Sequence, residues 1–133
     1  MKVVLDTNVI ISAFIASGPS KDVFEYIVEH HTVILSPYIF KELKEKLIKK
    51  LGFSKDEYLE IEGILRDNTI IVPQEGSKLK EFSDKKDLPI LNLCLTAKAN
   101  LLLTGDKQIR KLKRMGETVI VSPSDFWDIE KRD

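Results

Sequence analysis

Residues 1–15, MKVVLDTNVIISAFI, place an acid between two apolar runs. The apolar run from Val3 to Leu5 is typical of a buried strand, and the apolar residues from Val9 onward predict a helix that follows it. Asp6 stands between the two, where a carboxylate removed from water is costly unless something pairs with it. Asp6 therefore either caps the helix or lies at the edge of a site that needs negative charge.

Short apolar runs alternate with amphipathic segments along the rest of the chain. The strand candidates are KVVL, TVIL, TIIV, NLLL and ETVIV. Nearly continuous apolar strands are expected where helices cover both faces of a sheet, and the alternation predicts right-handed crossovers. We therefore predict an α/β fold, a three-layer α/β/α arrangement with a central, mostly parallel sheet of about five strands. No linker divides the chain, which predicts a single domain over residues 1–133.

Polar residues mark the predicted helix starts. Ser36 precedes Pro37, a favourable pair for an N-cap and a first helical residue. Ser54 and Glu57 have the spacing of a capping box. Other predicted boundaries are N-caps at Ser20, Asp84, Asp106 and Ser124, and helix ends at Gly52 and Asn100.

Composition excludes some classes of site and partner. Lys plus Arg and Asp plus Glu each total 21, so the net charge of zero does not by itself indicate a nucleic-acid partner. Cys94 is the only cysteine, which excludes an internal disulfide and a cysteine-rich zinc site and favours a core position. His30 and His31 are expected at the surface, at a helix end. The chain shows no signal peptide and no membrane-spanning run, so we expect a cytoplasmic protein that does not associate with membranes.

Acidic residues recur where a parallel sheet binds ligands. Asp6 and Asp106 each follow a predicted strand, and the carboxyl ends of parallel strands share one edge. Glu42 lies early in the helix from Pro37, and Asp84 and Asp87 flank the start of a later helix. Clustered carboxylates repel one another and favour Mg²⁺ or Mn²⁺, which prefer oxygen ligands. Two such ions about 3.5–4 Å apart assist phosphodiester hydrolysis.

Each acid also has a simpler interpretation. Asp6 and Asp106 suit helix caps, and Glu42 is an acid favourably placed near a helix N-terminus. Asp84 and Asp87 suit a cap and a first-turn charge. The joint occurrence of LDTN, FKEL, DKKD and TGD in this order is what favours a site.

These motifs resemble the PIN-domain family over essentially the whole chain. The similar stretches are VVLDTNVIISA, SPYIFKELKEKL, DKKDLPILNLCLTAKANLLLTGDKQIRKL and VIVSPSDFW. Within that family, the sequence is most similar to the ribonuclease toxins of type II toxin–antitoxin modules. The resemblance implies a PIN-like fold and a hydrolase that cleaves phosphodiester bonds in single-stranded RNA with Mg²⁺ or Mn²⁺.

The resemblance also implies roles for particular residues. Leu88 and Pro89 follow Asp87 where the family often has a further acid or polar residue, so Asp84 is an alternative to Asp87 as the third acid, and Asp87 ranks above it. Carboxylates would hold the ions and water would attack phosphorus, with no protein nucleophile. The implied catalytic and metal-binding acids are Asp6, Glu42, Asp87 and Asp106, with Asn8, Thr104 and Asp84 in supporting roles.

The expected partners are an RNA strand, an antitoxin protein and a second copy of the chain in a homodimer. Basic residues follow Glu42 and Asp106 along their helices, and the predicted RNA contacts are Lys44, Lys107 and Arg110. The alternative is that these side chains only complement helix C-termini and solvent. The sequence leaves open the RNA target, the physiological metal and the dimer interface.

The sequence has three alternative interpretations of function. A haloacid-dehalogenase-like phosphatase needs a second acid where Asn8 stands, and a phosphoreceiver domain needs an aspartate that TIIVPQEG lacks. A catalytically inactive PIN-like module that binds RNA or protein remains the serious alternative. Loss of the acids would mark such a module, whereas candidates for all of them are present here.

Overall fold

The computed structural model describes residues 1–73 and 87–131, and a twisted parallel sheet forms its centre. The strands are β1 (Lys2–Leu5), β2 (Thr32–Leu35), β3 (Ile70–Ile71), β4 (Leu101–Leu103), β5 (Arg114–Met115) and β6 (Thr118–Val121). Their order across the sheet is β3-β2-β1-β4-β6-β5, and each neighbouring pair is parallel except β5 and β6. The predicted α/β fold with a mostly parallel sheet is confirmed. The short β5 was not predicted, because two residues carry no pattern of their own.

Helices connect the strands and cover the sheet. They are α1 (Thr7–Ile15), α2 (Pro19–His30), α3 (Pro37–Lys44), α4 (Lys55–Asn68), α5 (Leu88–Ala97), α6 (Lys107–Arg110) and α7 (Phe126–Glu130). A π-helical segment, Glu45–Lys50, continues α3 without a break. Within the described residues, no helix is long and apolar enough to cross a membrane.

The caps with the clearest local signals are confirmed. Ser36 accepts a hydrogen bond from the Ile39 amide at 3.3 Å and begins α3. Ser54 and Glu57 form both bonds of the capping box at the start of α4. These two caps depend only on residues within one turn of each other, which is why the sequence reveals them.

Other predicted boundaries are wrong. The N-cap of α2 is Gly18 rather than Ser20, because Pro19 takes the first helical position, which suits its fixed φ. Ser122, not Ser124, caps the turn before α7. The α5 helix ends at Ala97, and Lys98 follows it as a C-cap in a left-handed conformation, so the helix stops before the predicted end at Asn100. The predicted cap at Asp84 lies outside the described residues.

The core lies between the sheet and its helices. The side chains of β1 from Val3 to Leu5 and of β4 are at most 2% exposed. Cys94 is fully buried, and burial raises the pKa of its thiol to about 12, so the predicted core role is confirmed. Phe126 is also fully buried and anchors α7.

His31 differs from the expected surface residue. Its side chain is only 11% exposed, and its Nε2 lies 3.0 Å from a carboxylate oxygen of Glu130. Tyr26 donates a hydrogen bond to the same carboxylate at 2.9 Å. This network fastens α7 to α2 near the amino ends of the strands, and sequence reasoning missed it because Glu130 is 99 residues away. His30 remains exposed, as expected.

Candidate functional site

The site begins where β1 and β4 end side by side. Leu5 and Leu103 are paired in register, and the Asp6 amide donates to the Leu103 carbonyl at 3.0 Å. Asp6 and Thr104 therefore emerge next to each other at the carboxyl edge of the sheet. The Thr104 hydroxyl, which is fully buried, donates to Asp6 Oδ2 at 2.7 Å.

Both strand-end aspartates also cap helices. Asp6 Oδ1 accepts from the Thr7 amide at 2.7 Å at the start of α1. Asp106 Oδ1 accepts from the amides of Gln108 and Ile109 at 2.8 and 3.1 Å at the start of α6. The Asp106 amide donates to the Thr104 hydroxyl at 3.0 Å. Asp6 and Asp106 thus cap helices and also lie at the same edge of the sheet, since the Thr104 hydroxyl links the two residues.

Glu42 reaches the same edge from α3. The buried hydroxyl of Thr7 donates to Glu42 Oε1 at 3.0 Å, which ties α3 to the start of α1. Tyr38, one turn earlier on α3, donates its hydroxyl to the same carboxylate. Burial, with the nearby charges of Glu42 and Asp87, raises the pKa of the Tyr38 hydroxyl. Asp87, at the start of α5, therefore lies in the same neighbourhood.

Lys46, one of the basic residues that follow Glu42 but not one of the three predicted RNA contacts, also enters the site. Lys46 Nζ donates a hydrogen bond to Asn8 Oδ1 at 3.2 Å. Asn8 lies two residues after Asp6 in the chain. Lys44 instead places its ammonium 6.0 Å from the centre of the Tyr58 ring, toward α4. The available signal was spacing, because Lys46 follows Glu42 by four residues and so shares its helix face.

Burial dominates the electrostatics of Asp6. Loss of solvent raises the pKa of its carboxyl, and the negative charge of Glu42 adds to that effect. Hydrogen bonds from Thr104 and Thr7 and the positive charge of Lys46 oppose it without cancelling it. A buried carboxylate of this kind gains stability from any further positive charge.

The structure gives different positions to the remaining predicted residues, Asp84, Lys107 and Arg110. Asp84 lies outside the described residues. Lys107 is exposed, whereas Arg110 is partly buried, and its Nε has no hydrogen bond to the described part of the chain. Contact of these cations with RNA stays a prediction.

The donor chemistry of this edge fits a divalent cation. Asp6, Glu42 and Asp106 offer carboxylate oxygens, the ligands that Mg²⁺ and Mn²⁺ prefer. The hydroxyls of Thr7 and Thr104 lie between these acids. Across residues 1–73 and 87–131, no three His, Cys, Asp or Glu side chains are grouped closely enough to hold a metal. The residues therefore match the ion in chemistry, although the described side chains are not already arranged around one.

Comparisons with known proteins agree with this architecture. The structure of VapBC2 from Rickettsia felis bound to a promoter DNA fragment shares the fold, with a TM-score of 0.67 and 17% identity. That match covers 90% of this chain and 97% of the other. An uncharacterized protein of Methanocaldococcus jannaschii is 32% identical over 120 residues, which is 85% of this chain and 76% of that protein. A family model described as PIN domain matches residues 2–108. The chain belongs to the PIN-domain family.

Proposed function

We propose that this protein is a metal-dependent endoribonuclease that hydrolyses phosphodiester bonds in single-stranded RNA. PIN domains are generally nucleases, and one observation in this chain carries the proposal. Asp6, Glu42 and Asp106 converge at the carboxyl edge of the sheet, where Thr7 and Thr104 connect them. Partly buried carboxylates at one edge lower the stability of the fold, whereas they suit phosphodiester hydrolysis assisted by a bound cation.

Each side chain has a task in this proposal. Asp6, Glu42, Asp87 and Asp106 would hold Mg²⁺ or Mn²⁺, and a bound ion would supply Lewis-acid polarisation of the phosphodiester and a lower pKa for water. Thr104 and Thr7 orient Asp6 and Glu42 through their hydroxyls. Asn8 and Lys46 line the entrance, where an ammonium group attracts phosphate. Lys107 and Arg110 are further RNA contacts.

A toxin role is the biological part of the proposal. The motifs that resemble type II toxins and the fold shared with VapBC2 support it. The protein would act in the cytoplasm as a single domain and a homodimer, and an antitoxin protein would restrain it. Induced expression should then arrest growth, and the Asp6→Asn variant should not.

A second candidate is a PIN-like module that binds RNA or protein without cleaving. Two observations favour it. The acids are not grouped as a metal site within the described residues, and Lys46 already supplies positive charge near Asp6. The lysine ammonium can replace a metal ion in stabilising the charge of the acids, but it cannot polarise a phosphodiester as a divalent metal ion does.

Cleavage of labelled single-stranded RNA with Mn²⁺, Mg²⁺ or EDTA tests the proposal. The wild type is compared with Asp6→Asn and with Asp67→Asn, a matched change at an exposed aspartate on α4. We expect cleavage by the wild type and by Asp67→Asn that requires metal, and a loss of at least about 100-fold in Asp6→Asn, as for removal of a group that acts in the transition state.

The possible results separate the two candidates. Metal-independent cleavage that is equal in all three proteins would indicate a contaminating nuclease and contradict the assignment of Asp6. Binding of RNA without cleavage under any metal condition would favour the inactive module.

A further inference from the structure

A groove beside the acidic edge extends past Glu42 and Lys46 to residues that have no role in the chemistry described so far. It has a volume of about 410 Å³, within the range of about 300–1,000 Å³ typical of ligand sites. It runs along α3 and the π-helical segment and shares Glu42 with the acidic site. We call it the lysine groove, and its lining residues are Tyr38, Lys41, Glu42, Glu45, Lys46 and Lys50.

We propose that the lysine groove binds the RNA strand on one side of the scissile phosphate, with Lys41, Lys46 and Lys50 on its phosphates and Tyr38 against an unpaired base. This inference rests on the proposed ribonuclease function and adds where the strand runs. Because the groove leaves the acidic edge along α3 and its π-helical continuation, the proposal predicts that the RNA strand extends from the cleavage site in that direction.

The π-helical segment explains how three lysines reach one face. Residues four apart drift forward around an α-helix, because four residues exceed one turn. In a π-helix the turn takes more residues, so four residues fall short of a full turn. The segment Glu45–Lys50 therefore rotates Lys50 back toward the face that carries Glu42 and Lys46. π-Helical insertions occur frequently at functional sites.

The charges of the groove suit a polyanion. Three lysines line it against two glutamates, and Glu42 belongs to the acidic site, where a cation would offset its charge. Lys41 and Lys50 make no ion pair with residues in the described part of the chain, so their ammonium groups remain available. The protein as a whole has zero net charge, which makes this local excess of positive charge significant.

Tyr38 favours a single strand over a duplex. Its partly buried ring borders the groove, and its hydroxyl is fixed on Glu42. An aromatic ring held in place beside phosphate-binding lysines is the usual platform for an unpaired base, which a duplex does not offer. The ring thus lies between the cleavage site and the groove.

The test measures RNA affinity apart from cleavage. Fluorescence anisotropy with a labelled single-stranded RNA in EDTA compares the wild type with Lys41→Gln/Lys50→Gln. The matched control is Lys21→Gln/Lys55→Gln, which removes the same charge from two exposed lysines that do not line the groove. We expect the groove pair to weaken binding about tenfold and to reduce the salt slope by about 1.4, since each single-strand phosphate contact contributes about 0.7. The control pair should change affinity less than about twofold.

Tyr38 is tested in the same assay. Tyr38→Leu removes the ring and should bind RNA at least about fivefold more weakly than Tyr38→Phe, which keeps the ring. Equal affinity of Tyr38→Leu and Tyr38→Phe would overturn the stacking role.

Failure of this inference is distinguishable from failure of the proposed function. Wild-type cleavage with metal, together with equal RNA affinity of the groove and control pairs, would overturn only the lysine groove. A wild type that neither binds nor cleaves RNA would overturn both.

Discussion

Asp6 performs two tasks with its two carboxylate oxygens. Oδ1 caps α1 through the Thr7 amide, and Oδ2 accepts from the Thr104 hydroxyl. The cap fixes the side chain at the edge of the sheet, and burial there makes its charged form costly. The residue thus reduces the stability of the fold in order to provide negative charge at the site, a conflict that is typical of functional positions.

This conflict predicts that Asp6→Asn stabilises the metal-free protein near neutral pH. Because burial raises the folded-state pKa of Asp6 above its unfolded value, the folded protein binds more protons between the two values, and its stability falls as pH rises through that window. Asparagine removes this dependence. Urea unfolding in EDTA should show a gain in unfolding free energy at pH 7 that disappears below the unfolded pKa. A gain that is the same at every pH would contradict it.

Thr104 should control the ionisation of Asp6. Thr104→Val keeps the shape but removes the hydroxyl that donates to Asp6 and accepts from the Asp106 amide. The pKa of Asp6 should rise further, so the acid limb of the pH profile for RNA cleavage should move to higher pH. Stability should fall by about 1–3 kcal/mol, the cost of unsatisfied buried groups. Thr104→Ser retains the hydroxyl and serves as the control, and an unshifted acid limb in Thr104→Val would refute this role.

The sequence predicted part of this site. Asp6 and Asp106 could be predicted because each directly follows an apolar run, and the carboxyl ends of parallel strands lie at one edge of the sheet. Tyr38 was not assigned a role, although its spacing of four residues from Glu42 on α3 was a local signal. The contacts of Thr7 with Glu42 and of Lys46 with Asn8 were not predicted, since each joins two different elements. Such contacts depend on how α3 packs against α1, which no local pattern specifies.

At the scale of elements, helix starts were predictable where the signal was local. Ser36 and Ser54 cap their helices as expected, whereas Ser20 lost its predicted role to Gly18 and Pro19. The π-helical segment was missed, because its sequence has the composition of an ordinary helix. Leu47, the one residue of the segment that is buried, is fully enclosed in the core.

The end of the π-helical segment offers a test of element stability. Gly52 has a φ of 74°, where a side chain is strained, so Gly52→Ala should lower the unfolding free energy by about 1 kcal/mol. Gly63 lies in α4 with open space around its Cα, so Gly63→Ala should raise the unfolding free energy by about 0.5–1 kcal/mol. Urea unfolding measures both, and effects of the same sign would contradict this assignment of conformations.

At the scale of the whole molecule, the two ends of the sheet have different roles. The carboxyl edge gathers acids from β1, α3 and β4, whereas near the amino edge the bonds of His31 and Tyr26 to Glu130 hold α7 in place. The order of strands explains the division, since β1 and β4 are neighbours with crossovers leaving in opposite directions, and ligands bind at such a point. The strand order itself was not predictable from the sequence, because short apolar strands resemble one another.

Binding of a cation at the acidic edge should stabilise the whole fold. A ligand that binds only the folded state at 100 times its dissociation constant adds about 2.7 kcal/mol, and for a chain of this size that raises the midpoint of thermal unfolding by roughly 8 °C. We expect Mn²⁺ to raise the midpoint in the wild type and in Asp67→Asn, and to raise it far less in Asp6→Asn, which lacks one of the carboxylates. Thermal unfolding followed by circular dichroism across a Mn²⁺ titration measures this difference. An equal rise in all three proteins would place the bound ions elsewhere on the surface, and no rise in any of them would leave Lys46 as the positive charge that the acidic edge uses.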